Sequence, residues 1–226
     1  MSEHAPIAEI RSELKWRLDP SLRHPVMSYL QQQAFNSLYK TRTIFSLYYD
    51  YPDFRLFTAG EEGIVPRSKL RIRAYHDQAE LLTSGQLEIK TTGESGRTKY
   101  SLSREQPASG QLPAYLVRMF RDYQSGVLRP VSLVRYQRRY FANAQGYRAT
   151  VDTDIQYCRV LHFDDRRQVF ATPVAEHGGV LELKTPVERA PLDFADALPL
   201  TRMRFSKYNE SIIKTEAIGG LAFSRR

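Results

Sequence analysis

Residues 68–102 read SKLRIRAYHDQAELLTSGQLEIKTTGESGRTKYSL. In KLRIRAY, Lys69, Arg71, Arg73 and Tyr75 fall on one face of a strand and Leu70, Ile72 and Ala74 on the other, because strand side chains alternate with period two. One face is apolar and the other is a row of cations. The alternation returns in QLEIK, where Glu88 and Lys90 oppose Leu87 and Ile89. It returns again after the glycine-flanked turn at Gly93 to Gly96, where Arg97, Lys99 and Ser101 alternate with Thr98, Tyr100 and Leu102. For one strand alone, this pattern describes an ordinary half-solvated antiparallel sheet. Recurrence around a chain describes a barrel with a charged lumen and an apolar outside covered by helices.

The pattern does recur. Residues 10–18 form a strand with Arg11, Glu13, Lys15 and Arg17 opposite Leu14, Trp16 and Leu18. In TIFSLYYDYPDF, Ser46, Tyr48 and Asp50 share a face and Phe45, Leu47 and Tyr49 the other. Tyr51, Pro52 and Asp53 end that strand. In YRATVDTDIQY, Arg148, Thr150, Asp152 and Asp154 oppose Ala149, Val151, Thr153 and Ile155. GGVLELKTP sets Val180, Glu182 and Lys184 against Leu181 and Leu183, so LELK repeats LEIK. Residues 162–170 read as one further strand with a charged loop at its start. From Leu128 to Phe141 the alternation is ambiguous, with arginines on both faces.

Helical spacing predicts a helix over about 25–36, packed through Val26, Tyr29 and Leu30. A second spans 112–123, with Leu112, Tyr115, Leu116, Met119, Phe120 and Tyr123 as its core stripe. A third follows Ser206, a cap residue with Asn209 and Glu210 in the first turn and Ile212, Ile213 and Ala217 behind them. The last residues, 219–226, read as loosely held.

The chain has 226 residues, 42% hydrophobic and 12% aromatic, enough for one sizeable domain over 1–226 with a core at about 10–217. No apolar run is long enough for a membrane span and no secretion signal is visible, so a soluble cytoplasmic protein is expected. The single cysteine, Cys158, excludes an intramolecular disulfide and a cysteine-based metal site. The formal net charge of +8 calls for an anionic partner. Nucleic acid is not expected, since the basic residues sit at every second strand position rather than in a recognition motif.

The ordered motifs ELKW (13–16), SLYYDYPDF (46–54), KLRIRAY (69–75), LEIK (87–90) with Lys99 downstream, the Tyr136 to Asp152 region, LELK (181–184) and FSKY (205–208) together resemble the VTC domain. This is the polyphosphate polymerase domain of vacuolar transporter chaperone type, within the triphosphate tunnel metalloenzymes, and the resemblance runs from about Glu13 to Lys214. It implies an α+β fold: a closed antiparallel eight-stranded β-barrel, a tunnel with polar lumen and helices packed outside. It implies phosphate-binding positions at Lys15, Arg71, Arg73, Lys90 and Lys99, and assigns Tyr136 and Arg138 inward in the ambiguous strand. Arg148, four residues before Asp152, and the pair Ser206 and Lys207 complete the match. Glu182 matches the metal-binding glutamate. Strand one lacks the second glutamate of the ExExK form found in related triphosphatases, which puts a second carboxylate from that strand in question.

On this basis Arg71, Arg73, Lys90, Arg138, Arg148 and Glu182 are the expected catalytic set. Lys15, Lys69, Lys99, Tyr136, Ser206 and Lys207 are the expected substrate contacts. Glu182 is the expected ligand for Mg or Mn, with Glu13 and Glu88 as further candidates. Arg71 and Arg73 stand roughly 6.6 Å apart along a strand, a spacing suited to adjacent phosphates. The expected activity is transfer of the terminal phosphate of ATP, or another triphosphate, to a polyphosphate chain. Hydrolysis of inorganic or nucleoside triphosphate and non-catalytic binding of a polyanion are the alternatives. The resemblance covers only a catalytic domain, so a separate membrane partner protein is a further expectation.

Overall fold

The computed structural model describes residues 11–94, 96–102, 114–186 and 199–219. In chain order the elements are β1 (Arg11–Leu18), α1 (Arg23–Gln32), β2 (Asn36–Ser37), β3 (Arg42–Asp50), α2 (Arg55–Glu62), β4 (Arg67–Tyr75), β5 (Gln86–Gly93) and β6 (Gly96–Leu102). There follow α3 (Ala114–Gln124), β7 (Arg129–Ala142), β8 (Arg148–Phe163), β9 (Gln168–Phe170), β10 (Val174–Ala175), β11 (Gly179–Pro186) and α4 (Lys207–Gly219). The expected loose tail at 220–226 and the start of the second predicted helix at 112–113 lie outside the described residues.

The main strands pair antiparallel in the order β1-β11-β8-β7-β3-β4-β5-β6 and curl into a half-barrel. Alternation decides what each face meets. Leu70, Ile72 and Ala74 of β4 and Leu87 and Ile89 of β5 lie on the convex face under Leu116, Met119 and Phe120 of α3. Trp16, Leu18, Leu181 and Leu183 lie on the same convex side under Val26 and Leu30 of α1. Each such side chain contributes about 1.5–3 kcal/mol by leaving water. Tyr115, expected in the α3 stripe, is instead exposed.

The concave face divides in two. At one end Ile44, Tyr48, Val134, Tyr136, Ile155, Tyr157 and Val180 pack against Phe205, Tyr208 and Ile212, so α4 plugs the trough from within. The remainder is lined by charge. Asp50 fixes the plug: its carboxylate accepts the backbone N–H groups of Leu56 at 3.0 Å and Phe57 at 2.9 Å, capping α2, and also accepts the Tyr208 hydroxyl. Burial pushes the Asp50 carboxyl up against those four donors, of which Tyr51 N–H is the last.

The expected closed barrel is not what forms. Among the described residues no ladder joins β6 to β1. The reason lies at the outer edge of β1, whose backbone groups are already used: Arg17 N–H donates to Thr201 O at 3.0 Å and Met203 N–H to Lys15 O at 2.9 Å. Segment 201–203 thus takes the place a closing strand would need. Among the described residues, the two sheet edges meet through side chains, with Arg97 Nη1 3.5 Å from Glu13 Oε1.

Three smaller expectations also change. The first helix ends at Gln32, where Ala34 takes a left-handed φ of 56°, and β2 follows. Residues 162–170 form a hairpin between β8 and β9, because Asp164 Oδ1 accepts the N–H groups of Arg166 at 2.8 Å and Arg167 at 2.7 Å. Asp154 leaves the inward face: at φ 51° it is part of a bulge where Gln137 pairs with Thr153 but Arg135 with Gln156. The extra residue flips the parity of β8, so Ile155 and Tyr157 point into the trough instead. Among the described residues no helix is long and apolar enough to cross a membrane.

Candidate functional site

Three carboxylate-centred clusters stand side by side on the charged part of the concave face. In the first, Arg71 Nε and Nη2 both donate to Glu88 Oε2, at 2.8 and 2.7 Å, and Arg73 Nη2 lies 3.4 Å from the same oxygen. Lys99 Nζ donates to Oε1 at 2.9 Å. Glu88 is 1% exposed and Arg71 7%. Burial alone would raise the Glu88 carboxyl; Arg71 and Lys99 overcome it and hold it below its ordinary range. Arg71 also donates to the Tyr48 hydroxyl at 3.1 Å.

In the second, Asp152 is fully buried and accepts a bidentate pair from Arg138, Nε at 2.5 Å and Nη2 at 2.6 Å, together with Lys207 Nζ. Burial raises this carboxyl, but Arg138 and Lys207 bring it below the usual range. Tyr136 is the floor on which both cations rest, with its ring centroid 5.2 Å from Arg138 Cζ and 4.7 Å from Lys207 Nζ.

The third cluster joins β1 to β11, where register sets Lys15 opposite Glu182 and Glu13 opposite Lys184. Lys15 Nζ is 2.8 Å from Glu13 and 3.9 Å from Glu182, and it donates to Phe205 O at 3.1 Å. Lys184 Nζ is 3.2 Å from Glu182. Burial pushes the Glu182 carboxyl up, yet Lys15, Lys184, Arg138 and Lys90 together hold it far below the ordinary carboxylate range. Lys15 moves the other way for the same reason: enclosure lowers it, but Glu182 and Glu13 outweigh that and raise it.

Among the described residues, the remaining cations of this face pair with no carboxylate. Lys69 Nζ donates only to neutral acceptors, Ser206 Oγ at 2.6 Å and Asn209 Oδ1 at 2.7 Å, and burial with Lys15 and Arg67 nearby pushes it down to about 8. Lys90 makes no hydrogen bond or ion pair among the described residues. Water reaches its side chain within the trough, but protein walls enclose it, and this enclosure with Arg71 close by lowers it to about 7. Arg148 stands exposed at the rim beside Lys184, also without a partner among the described residues. Arg73 Nε, Ser46 Oγ and Thr150 Oγ1 are buried polar atoms without a hydrogen bond among the described residues. Such atoms are costly unless a polar occupant satisfies them.

All the sequence-predicted positions therefore fall on one face. Lys15, Lys69, Arg71, Arg73, Lys90, Arg138, Glu13, Glu88, Glu182, Ser206 and Lys207 converge, while Lys99 and Arg148 stand toward its exposed margins. Tyr48, Asn209 and Lys184 were not singled out as site residues. Lys184 carried a readable signal, being two residues from Glu182 on the same strand face.

Among the described residues, no three of His, Cys, Asp and Glu gather into a metal-binding group. Glu13 and Glu182 nevertheless converge on one ammonium, presenting two carboxylates. That donor set fits a hard divalent cation that completes its shell with phosphate oxygens and water. Glu88 does not suit the task, since Arg71, Arg73 and Lys99 already occupy both its oxygens.

Solved structures of other proteins share this fold of a curled antiparallel sheet. A protein from Hippeastrum, described as an adenylyl cyclase candidate with a dominant triphosphatase activity, aligns with TM-score 0.57 and 15% identity, over 91% of this chain and 96% of its own. A Vibrio parahaemolyticus protein described as an adenylate cyclase candidate aligns with TM-score 0.53 and 14% identity, over 91% and 98%. A Pyrococcus horikoshii protein aligns with TM-score 0.51 and 12% identity, over 92% and 99%. No curated protein sequence matches the chain. The family model of the VTC domain matches residues 10–215, and the chain belongs to the VTC domain family.

Proposed function

We propose that this protein binds a triphosphate, such as ATP, in the charged trough and transfers its terminal phosphoryl group to a polyphosphate chain. The observation that carries this reading is the imbalance of the concave face. Among the described residues, Glu13, Glu88, Asp152 and Glu182 are outnumbered by the lysines and arginines around them, and Lys90, Arg148 and Arg73 Nε are left unpaired. Crowding uncompensated cations onto one concave face is unfavourable, and a polyanion restores the balance.

Phosphoryl transfer asks mainly for positioning and for stabilisation of charge on the transferring oxygens. Arg71, Arg73 and Arg138 are held in fixed orientations by their carboxylates, so they meet phosphate oxygens without reorganising. Lys90 lacks such a tether and is the side chain free to follow the reacting phosphate. Glu13 and Glu182 would hold Mg or Mn, which when bound neutralises phosphate charge. Cys158 is packed in the core of the convex side, away from the trough, so transfer proceeds directly between phosphate groups rather than through a thiol.

Product sizing after incubation with ATP and Mn tests the proposal. Chain growth that is lost in Lys90→Ala and Glu182→Ala is the expected result. Absence of chains from the parent protein, with both variants indistinguishable from it, overturns the proposal. Free phosphate without chain growth would assign the same trough to triphosphate hydrolysis, in line with the activity described for the Hippeastrum protein of like fold.

A further inference from the structure

The gap between the sheet edges is not merely an unpaired seam. It holds a cavity of about 420 Å³ lined by Glu13 and Lys15 of β1, Arg97 of β6, and Arg202, Arg204 and Phe205 of the segment leading into α4. Its lining is strongly positive. Among the described residues, the carboxylate within ion-pair distance of this arginine group is Glu13, at 3.5 Å from Arg97. Arg204 Nη2 is oriented by a carbonyl, Gly60 O at 3.1 Å, and Arg67 Nη1 by Gly63 O at 3.3 Å and Ile64 O at 3.2 Å. Carbonyls aim a guanidinium without neutralising it. The Arg67 group is accordingly held below its ordinary range, first by burial and then by the charges of Arg204 and Arg97. Arg202 is exposed and makes no side-chain hydrogen bond or ion pair among the described residues.

This arginine group is continuous with the trough. Lys15 belongs to both, since it lines the cavity while pairing with Glu13 and Glu182. An anion seated between Lys15, Lys69 and Lys90 therefore has a lateral way out, past Glu13, toward Arg97, Arg202 and Arg204. A compact triphosphate would leave these arginines unused, whereas a longer linear anion would reach them. We propose that the seam cavity is a second anion subsite that binds the part of a linear polyphosphate extending beyond the triphosphate position. The chain then lies across the open edge of the sheet rather than along the axis of the trough. This inference rests on the proposed occupancy of the trough and adds to it the place of the longer chain.

The test compares inorganic tripolyphosphate with long-chain polyphosphate by calorimetric titration over a salt series. It uses the parent, the double variant Arg202→Ala with Arg204→Ala, and the single variant Arg202→Gln. The single variant alters only an exposed side chain and guards against misfolding of the double one. The parent is expected to bind the long chain more tightly and with steeper salt dependence, because each arginine-bound phosphate releases counterions. The double variant should lose about tenfold or more of long-chain affinity, as two charge-assisted contacts imply. Arg202→Gln should lose part of it, and tripolyphosphate binding should be unchanged in both. Equal weakening of both ligands, or no preference for length in the parent, overturns the subsite. A parent that ignores tripolyphosphate but binds long chains through Arg202 and Arg204 would overturn the trough assignment and leave the subsite standing.

Discussion

The two faces of the same strands obey opposite rules. On β5, Leu87 and Ile89 are sealed under α3 while Glu88 and Lys90, their immediate neighbours, stand among charges on the other side. The convex face is mostly apolar, and α3 and α1 cover its two hydrophobic clusters. On the charged part of the concave face, by contrast, unpaired cations and orphaned polar atoms remain among the described residues after the internal ion pairs have formed. The convex face stabilises the fold by apolar burial, while the concave face combines the apolar plug and internal ion pairs with further cations that those pairs leave over. Stability and binding should therefore respond differently to changes a single residue apart.

The largest effect is expected where the concave face is internally paired. Glu88→Gln leaves Arg71, Arg73 and Lys99 without their carboxylate and should cost about 3–5 kcal/mol in denaturant unfolding of the free protein. Added triphosphate should restore part of that loss, which a purely structural role would not allow. Next, Ile89→Ala opens a cavity under α3 and should cost about 2–5 kcal/mol, with triphosphate affinity retained in the folded fraction. Tyr208→Phe removes the hydroxyl that buried Asp50 accepts and should cost about 1–3 kcal/mol. It should also raise hydrogen exchange in α4 and α2 together, because Asp50 ties them to one carboxylate.

Lys90→Met sharpens the contrast most directly, since it should leave unfolding unchanged or slightly harder while triphosphate affinity falls. If Lys90→Met destabilises as much as Ile89→Ala, the division between the faces fails. A pH slope is a further check. Lys90 and Lys69 have lowered folded values, about 7 and about 8, beneath the ordinary lysine value they regain on unfolding. Between these limits the unfolded chain binds more protons, so stability of the free protein should rise with pH through that window. Bound triphosphate favours the charged amines and should flatten the slope, as thermal melts at several pH values would reveal.

Much of this division was legible in the sequence because period-two alternation reports directly on faces. Lys69, Arg71 and Arg73 against Leu70, Ile72 and Ala74 needed no structure to sort, nor did Glu182 against Leu181 and Leu183. Two things resisted. Alternation fails where backbone geometry changes parity, and the bulge at Asp154 exchanged the roles of Asp154 and Ile155. Alternation is also silent on closure, which depends on which backbone edges are still free. Nothing in the pattern of β1 announced that segment 201–203 would occupy its edge. The inward aromatic residues Tyr136, Tyr157 and Tyr48 were equally unreadable as a plug, because their partners sit on a helix distant in sequence.

An unclosed sheet carries a hazard of its own. The outer edge of β6 offers backbone donors and acceptors that no described strand takes up, a template for stacking one molecule against another. Arg97 and Lys99 put like charges on that strand in every copy, so two such edges repel before they can zip together. Under the proposed seam subsite, Arg97 would serve both as an anion contact and as a guard against self-association, and a bound polyanion, by masking it, would lower that guard.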